Sequence, residues 1–333
     1  MNQLNIAYSD NAINFINPAM ISPNNYKMEH IGRSKCMQKV HWMIQKVATT
    51  DMIALILGES GTGKELTARM IHTLSTRNNK PFIAFNCAAI PEGLLESELF
   101  GYERGSFTGA YSSRKGKIEM AEGGTIFLDE IGDMSPHLQS KILRFLEEKV
   151  IDRIGSMTRK NVNVRFIAAT NIDMNAAIQT GRFRRDLYYR LDEFTITLPP
   201  VRERGDDSLV LATHFLNKFS REMGMRKAFT NEAKGAIKNY HWPGNVREII
   251  NKVRRSIAIS DSNLITPKEL NLSPDTNIFT TMSIKDVKST IEKQKLIEVL
   301  TICNNNITKA AKLLGISRPT VYKLKEKYCA STY

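Results

Sequence analysis

Residues 51–74 read DMIALILGESGTGKELTARMIHTL, and this stretch decides the fold. A short apolar run at residues 52–57 comes before a glycine-rich stretch, and apolar residues then recur at helical spacing. Gly58, Gly63 and Lys64 form the G-x-x-x-x-G-K pattern of a P-loop, in which backbone N–H groups wrap phosphate oxygens and the lysine offsets their charge. The order of strand, loop and helix predicts a nucleotide-binding site.

The residue after the lysine departs from the simplest form of this motif. Glu65 stands where many P-loops carry the Ser or Thr whose hydroxyl reaches a magnesium ion, so the metal ligand must come from another part of the chain. The predicted nucleotide-binding residues of this loop are Gly58, Glu59, Ser60, Gly61, Thr62, Gly63, Lys64 and Glu65.

Two adjacent acids end a further apolar strand in residues 123–134, GGTIFLDEIGDM. A P-loop needs such a partner, because one acid holds magnesium and another orients and polarises the attacking water. We predict that Asp129 takes the metal, directly or through water, and that Glu130 acts on the water. The alternative is a solvated acidic turn, which the presence of the P-loop disfavours.

Asparagines follow two other strand patterns, PFIAFNC at residues 81–87 and VNVRFIAAT at residues 162–170, both of which we expect to be buried. In an open parallel sheet, ligands bind at the carboxyl ends of the strands. Asn86 is therefore either a turn-forming residue or a functional one. Asn171 is predicted to sense the γ-phosphate or to position water.

Four arginines fall within nine positions, Arg182, Arg184, Arg185 and Arg190, in the segment GRFRRDLYYRL. They are either surface charges or arginine fingers offered to the nucleotide of a neighbouring subunit, where they would stabilise charge during phosphoryl transfer.

From residue 201 to about residue 270, apolar residues recur at helical spacing. The segment WPGNVR at residues 242–247 places a Pro-Gly turn before a helix. We expect Arg247, in the first turn of that helix, to reach back to the phosphates from a small helical lid.

The loop GYERGSFTGAY, at residues 101–111, interrupts the α/β alternation with three glycines and three aromatic residues, two of which we expect to be exposed. It is either a mobile loop or a partner-contacting loop that displays Phe107, since exposed aromatic side chains often mark contact sites.

The C-terminal segment NITKAAKLLGISRPTVYKLKEKY, at residues 306–328, predicts a helix-turn-helix. We expect one apolar face on its first helix, a tight turn at Gly315 and a helix N-cap at Ser317. The residues expected to be buried are Ala310, Ala311, Leu313, Leu314, Val321, Leu324 and Tyr328. The residues predicted to contact DNA are Ser317, Arg318, Thr320, Lys323 and Lys327. A plain helical hairpin is the alternative.

Composition is that of a globular protein, with 42% hydrophobic and 24% charged residues among 333. The formal charge of +13 favours a polyanionic partner, and residues 281–333 carry ten Lys or Arg against four Asp or Glu. No apolar run approaches the roughly 20 residues that span a bilayer, and no Lys or Arg occurs in residues 1–26, so we expect a cytoplasmic protein. The four cysteines are scattered, which indicates neither disulfides nor a zinc site.

Five motifs, GESGTGKE, ELFGYERGSFTGA, GGTIFLDEIGDM, FRRDLYYRL and HWPGNVREI, follow one another between residues 31 and 270. Together they resemble the sigma-54-dependent transcription activators, also called bacterial enhancer-binding proteins, and the C-terminal segment resembles their Fis-type helix-turn-helix. The resemblance implies an α/β fold, an AAA+ P-loop three-layer sandwich with a parallel sheet, a small helical lid and a separate all-α DNA-binding domain. The expected divisions are an arm at 1–28, the α/β subdomain at 29–200, the lid at 201–270, a linker at 271–283 and the helix-turn-helix domain at 284–330.

The resemblance also implies roles in an ATP and Mg²⁺ site. Lys64 would bind the phosphates, and Asp129 and Glu130 would serve the metal and the attacking water. Asn86 would restrain Glu130 as a nucleotide-dependent switch.

Further matching positions concern sensing and assembly. Asn171 matches the position of the residue called the first sensor in this family, and Arg247 matches the position of the second sensor. Arg184 and Arg190 match fingers that act on the neighbouring subunit, which implies a hexameric ring, assembled from dimers. Arg185 stands where an acidic residue is common, a difference at the subunit interface.

The loop that is characteristic of this family reads G-A-F-T-G-A, and here it reads G-S-F-T-G-A. Because Phe107 and Thr108 are intact, we expect activation to survive the Ser106 replacement. The implied sigma-factor contacts are Gly105, Ser106, Phe107, Thr108, Gly109 and Ala110.

The implied function is an activator that binds upstream double-stranded DNA and uses ATP hydrolysis to convert the closed complex of sigma-54 RNA polymerase into an open complex. Most relatives begin with a receiver or ligand-sensing domain, whereas this chain has only a short arm, so we expect control from outside, for example by a separate regulatory protein. Two alternatives are a helicase loader, which leaves GSFTGA unexplained, and a repressor whose ATPase module has decayed, against which the intact Lys64, Asp129, Glu130 and Arg190 argue.

Overall fold

The computed structural model describes residues 32–272, 296, 299, 303 and 306–329. Of the strands in this described part, five belong to one parallel sheet and six form short two-stranded pairs. In chain order the strands are β1 (Ala54–Leu57), β2 (Phe82–Asn86), β3 (Gly101–Tyr102), β4 (Arg114–Lys115), β5 (Thr125–Asp129), β6 (Val150–Asp152), β7 (Arg159–Asn161), β8 (Arg165–Thr170), β9 (Phe194–Thr197), β10 (Ala228–Phe229) and β11 (Leu264–Ile265).

Helices alternate with these strands up to β9 and dominate the chain after it. In chain order they are α1 (Lys35–Ala48), α2 (Lys64–Thr73), α3 (Glu92–Phe100), α4 (Lys117–Met120), α5 (Pro136–Glu148), α6 (Met174–Gln179), α7 (Arg185–Leu191), α8 (Asp207–Glu222), α9 (Asn231–Asn239), α10 (Asn245–Ile259), α11 (Ile307–Leu314) and α12 (Arg318–Cys329).

The main sheet has the strand order β2-β5-β8-β1-β9, and its pairs are parallel. All six residues of β8 are buried, as expected of a central strand covered on both faces. In β2 only Phe85 is buried, so the prediction of a fully buried strand at residues 81–87 was wrong. The physical reason is that β2 lies at the edge of the sheet.

The P-loop connects β1 to α2, as the sequence predicts. Gly63 precedes α2 in the left-handed region, with φ of 105°, a conformation that glycine adopts without steric cost. The order of strands, helices and loop confirms the predicted fold class, an α/β P-loop fold of the AAA+ type followed by a helical lid and a helix-turn-helix region.

The lid has a hydrophobic core of its own, formed by α8, α9 and α10. Trp242 is fully buried in this core and donates its indole N–H to the carbonyl of Ile237 at 2.9 Å. The lid is not purely helical, because β10 and β11 form a short parallel pair that the helical periods did not predict.

In the helix-turn-helix, Gly315 has φ of 67° and ends α11, as predicted. Ala310, Ala311 and Val321 are buried together, but Leu313 is 65% exposed, so its assignment to the apolar face was wrong. Leu313 faces solvent because the buried face of this short helix is the one that carries Ala310 and Ala311. The Tyr328 side chain, most of the predicted linker and most of the preceding helix lie outside the described residues, and the domain boundaries remain predictions.

Candidate functional site

Lys64 lies at the centre of the predicted nucleotide site. Its side chain is only 6% exposed, and its Nζ donates hydrogen bonds to the carbonyl of Gly58 at 3.1 Å and to Glu130 Oε1 at 3.3 Å. Because α2 begins at Lys64, the N-terminus of a ten-residue helix also faces the loop. Free N–H groups at a helix N-terminus and a lysine together favour an anion at this position.

The two acids follow β5 directly. Asp129 Oδ1 accepts the N–H of Glu130 at 3.1 Å, and Glu130 Oε2 accepts the N–H of Asn171 at 3.0 Å. Glu130 has a left-handed backbone, with φ of 52°, which is uncommon for a residue with a side chain and typical of functional sites. Lys64, Glu130 and Asn171 are thus brought together at the carboxyl end of the sheet.

Charge at this site is unbalanced in favour of the acids. Burial, followed by the negative charge of Glu130, raises the pKa of Asp129, and Lys64 opposes the change. Carboxylate oxygens are the ligands that Mg²⁺ prefers, and Asp129 and Glu130 outnumber the one lysine. These donors fit a magnesium ion. The described residues contain no group of three or more His, Cys, Asp or Glu side chains that could hold a metal ion.

Asn86 lies beside these acids but contacts neither through its side chain in the described structure. It is the register partner of Asp129 across β2 and β5. Its Oδ1 accepts the N–H groups of Ala88 and Ala89, at 2.9 and 3.1 Å, and so caps a short 3-10 turn. The turn-forming role is therefore present here, and the switch role remains a prediction.

On the other side of the P-loop, the lid contacts the loop directly. Arg247 Nη1 donates to Ser60 Oγ at 2.9 Å, so the predicted second sensor does lie against the loop. The sequence analysis missed three lid residues that also hold this loop, Arg202, Arg204 and Asn245. Their side chains are at hydrogen-bond distance from Glu59, Ser60 or Thr62.

The two predicted finger arginines make other contacts within their own chain. Arg184 pairs with Asp186 and donates to Ser140 Oγ. Arg190 Nη1 lies 3.1 Å from Glu193 Oε1, and its Nη2 donates to the carbonyl of Leu146 at 3.3 Å. Neither arginine has a described contact with the P-loop of its own chain.

The GSFTGA segment forms the tip of the antiparallel hairpin β3–β4. The N–H of Gly105 donates to the carbonyl of Ala110 at 2.9 Å, which closes the tip. Phe107 is 41% exposed, and its ring makes a T-shaped contact with the ring of Tyr102, with ring centroids 5.0 Å apart. Thr108 and Gly109 are exposed, whereas Ala110 is buried. The tip therefore presents an aromatic ring and a hydroxyl to solvent.

A second hairpin, β6–β7, supports the first one. Backbone hydrogen bonds join the N–H of Glu103 to the carbonyl of Ile154, and the N–H of Ile154 to the carbonyl of Gly101, both at 2.9 Å. Arg153 pairs with Glu103 and with the buried Glu119. Sequence reasoning missed this support, because the pairing joins segments about 50 residues apart.

The second helix of the helix-turn-helix presents most of the predicted DNA contacts. Ser317 Oγ accepts the N–H of Thr320 at 3.4 Å, consistent with an N-cap role. Arg318, Thr320 and Lys323 are exposed, and the Lys327 side chain lies outside the described residues. Tyr322, on the same helix, is 60% exposed. The sequence analysis did not include it among the predicted DNA contacts.

Three segments of the chain match known protein families. Residues 30–197 match the Sigma-54 interaction domain, residues 202–281 match the AAA+ ATPase lid domain, and residues 289–326 match the bacterial regulatory proteins of the Fis family. The chain belongs to the sigma-54-dependent activator family. The ATPase module of this family is therefore the setting in which Lys64 and Glu130 meet.

Relatives of this family match over most of the chain. The nitrogen fixation protein AnfA of Azotobacter vinelandii is 44% identical over 303 residues, which are 90% of this chain and 57% of AnfA. The transcriptional regulatory protein ZraR of Escherichia coli K12 is 44% identical over 294 residues, 87% of this chain and 67% of ZraR. The chain thus spans only about half to two thirds of the length of these relatives.

A solved structure of NtrX from Brucella abortus in complex with ATP superposes with a TM-score of 0.69 and 32% identity, covering 90% of this chain and 69% of NtrX. No helix in the described part of the chain is both long and apolar enough to cross a membrane.

Proposed function

We propose that this activator binds ATP with Mg²⁺ between the P-loop and β5, and that it uses hydrolysis to remodel a closed sigma-54 RNA polymerase complex into an open one. The observation that carries the proposal is the exposed GSFTGA tip, which stands on the same domain as the Lys64–Glu130 pair. The family match, to a sigma-54 interaction domain, supports that reading of the tip.

The residues at the site have separate tasks in this proposal. Lys64 and the N–H groups at the start of α2 bind the phosphates, and phosphate oxygens compete with Glu130 for the lysine. Glu130 is then free to accept a proton from the attacking water while the N–H of Asn171 holds its other oxygen. The Asn171 side chain would sense the γ-phosphate. When bound through Asp129, magnesium would offset the charge that builds up on the phosphates.

Hydrolysis would need a neighbouring subunit. Arg184 and Arg190 are partly exposed and have no described contact with the P-loop of their own chain. An arginine finger that completes the site across an interface requires assembly, and we propose the hexameric ring that the resemblance implies.

The helix-turn-helix would hold the protein on upstream DNA. Arg318 and Lys323 are exposed and suited to phosphates and base edges in a major groove. Because its proposed partners are DNA and RNA polymerase, we place the protein in the cytoplasm.

Open-complex formation tests the proposal directly. The full chain is mixed with sigma-54 holoenzyme on a sigma-54 promoter that has an upstream binding site, and strand opening is measured with ATP and with a non-hydrolysable analogue. We expect opening only with ATP. Opening with neither nucleotide, in the presence of measurable ATP hydrolysis, would contradict the remodelling function and favour the loader or repressor alternatives.

A further inference from the structure

The lid holds the outer side of the P-loop through four consecutive residues. The carbonyl of Gly61 accepts the N–H of Val246 at 3.0 Å. The carbonyl of Thr62 accepts Arg204 Nη2 at 3.0 Å, and the Arg204 side chain is buried. The carboxylate of Glu59 pairs with the guanidinium of Arg202. Each of these bonds joins the phosphate loop to a segment more than 140 residues further along the chain.

Asn245 is the residue on which these contacts converge. Its Nδ2 donates to Glu59 Oε2 and to the carbonyl of Ser60, both at 3.1 Å, and its Oδ1 accepts the N–H of Val201 at 2.9 Å. The side chain is fully buried. Only a side chain with a donor and an acceptor at the same length can make all three bonds, which an amide does and a carboxylate does not.

The backbone is adapted to this arrangement at two positions, Asn245 itself and Gly61. Asn245 has φ of 50°, in the left-handed region, which asparagine tolerates better than most residues. A Cβ on Gly61 would lie 2.4 Å from the carbonyl oxygen of Gly244, so the loop and the lid approach each other more closely than any side chain at position 61 would permit.

These bonds fix the orientation of the peptide groups in the loop. In a planar trans peptide, the carbonyl of one residue and the N–H of the next point in opposite directions. The bond from Asn245 to the Ser60 carbonyl therefore turns the N–H of Gly61 to the other side of the loop. The bond from Arg204 to the Thr62 carbonyl turns the N–H of Gly63 in the same way. Fixed N–H groups bind phosphate without first losing conformational entropy.

We propose that Asn245 is a positioning residue for nucleotide binding, which acts through Glu59 and the Ser60 carbonyl and couples the state of the phosphate loop to the lid. The proposal rests on the proposed nucleotide site at Lys64. Arg247, which was predicted from the sequence, touches the loop through one hydroxyl, whereas Asn245 holds both a side chain and a backbone carbonyl of the loop.

The test compares ADP affinity, measured by calorimetry on the full chain, with the KM and kcat of ATP hydrolysis. Asn245→Asp replaces the donor with a second carboxylate beside Glu59. We expect about tenfold weaker ADP binding and a similar rise in KM, since a charge-assisted hydrogen bond to Glu59 is lost and a like charge takes its place. In Asn245→Asp with Glu59→Gln, the amide at position 59 can donate to the carboxylate at position 245, but the Ser60 carbonyl still lacks its donor. Affinity should therefore recover only in part, to about threefold weaker than the wild type.

Asn271 provides a matched control, because it also has a left-handed backbone, with φ of 52°, and it lies in the segment that follows β11. Asn271→Asp should leave the KM for ATP unchanged. If Asn245→Asp binds ADP like the wild type, the positioning role is wrong, and if the double variant is no better than Asn245→Asp, the route through Glu59 is wrong. If the wild type and Lys64→Ala bind ADP equally, the nucleotide site itself is wrong.

Hydrogen exchange keeps the test decisive even if Asn245→Asp does not fold. Glu59→Ala changes a half-exposed side chain and should fold normally. In the wild type, ADP should slow exchange of the Val246 amide, which is bonded to the loop. In Glu59→Ala that slowing should fall at least about threefold, because one partner of Asn245 is gone. Equal slowing in both proteins would overturn the proposed coupling.

Discussion

Lys64 Nζ lies 3.3 Å from Glu130 Oε1, and the two side chains are only 6% and 14% exposed. The nearby Asp129 adds a second negative charge to this shielded site. A single cation therefore serves both acids until phosphate oxygens reach it, and this competition makes the Lys64–Glu130 pair sensitive to the nucleotide.

Replacing Lys64 with Ala should weaken ATP binding by about 100-fold or more, because charge-assisted hydrogen bonds to the phosphates are lost. Calorimetry with ATP measures the effect. Lys268→Ala, which removes an exposed lysine from the lid, should bind ATP normally. Unchanged affinity in Lys64→Ala would rule out the P-loop assignment.

Phe107→Ala and Thr108→Ala should abolish promoter opening while kcat for ATP hydrolysis stays within about twofold, because exposed side chains remote from the chemistry have small effects on the fold. The readouts are strand opening and phosphate release from the same samples. Met225→Ala, at another exposed apolar side chain, should support normal opening. Normal opening by Thr108→Ala would show that the tip does not engage the sigma factor through this hydroxyl.

Arg190→Ala should retain ATP binding but lose about a thousandfold in kcat, the usual contribution of an arginine finger. Mixing it with Lys64→Ala should restore part of the hydrolysis, since each variant supplies what its neighbour lacks. The control is Arg144→Ala, which removes an exposed, ion-paired arginine of α5. No recovery on mixing would mean that Arg190 acts within its own chain or only stabilises the fold.

Arg318→Ala and Lys323→Ala should each weaken DNA binding by about tenfold at physiological salt, and loss of a phosphate contact should reduce the salt slope by about one. Binding to a DNA duplex is measured at several salt concentrations. Lys268→Ala again serves as the control. A variant with wild-type affinity at every salt concentration would remove that residue from the DNA-binding surface.

His72 gives the fold a dependence on pH. Burial, followed by the positive charge of Arg165, lowers the pKa of His72 below its unfolded value of about 6.5. The unfolded chain therefore binds a proton that the folded chain resists, so stability is complete above this pH and falls as the pH decreases below it. His72→Gln should show a smaller loss of thermal midpoint between pH 7.5 and pH 5.5, about the range in which histidine titrates.

Thermal unfolding followed by circular dichroism measures this effect. His241 is exposed, so His241→Gln serves as the control and should lose as much thermal midpoint as the wild type. An identical loss in His72→Gln and in the wild type would show that another group causes the acid sensitivity.

Local patterns were enough to predict much of the fold and part of the site. The apolar run before Gly58, the glycines of the loop and Lys64 predicted β1, the P-loop and α2, because these features depend on neighbours in the chain. The carboxyl ends of parallel strands lie at one edge of a sheet, which placed the acids and Asn171 near the loop. Residue-level roles at this site remain predictions.

Other features could not be predicted, because they depend on the neighbours that folding supplies. Asn86 was expected near Glu130, and in the structure it caps a turn beside Asp129. Leu313 fits an apolar helical period, but it faces solvent since no described element covers it. The β3–β4 hairpin is held by β6–β7, for which no sequence signal was recognised.

The sequence by itself determined that this chain has a phosphate loop, acids at a strand end, a displayed Phe107 and a helix-turn-helix, because each of these is written in residues close together in the chain. Only the tertiary structure decided what holds the loop. Asn245 and Glu59 are 186 residues apart, and no periodicity or motif spacing relates them. Their contact exists because the lid folds around its own core and then meets the P-loop, where buried polar groups must find partners.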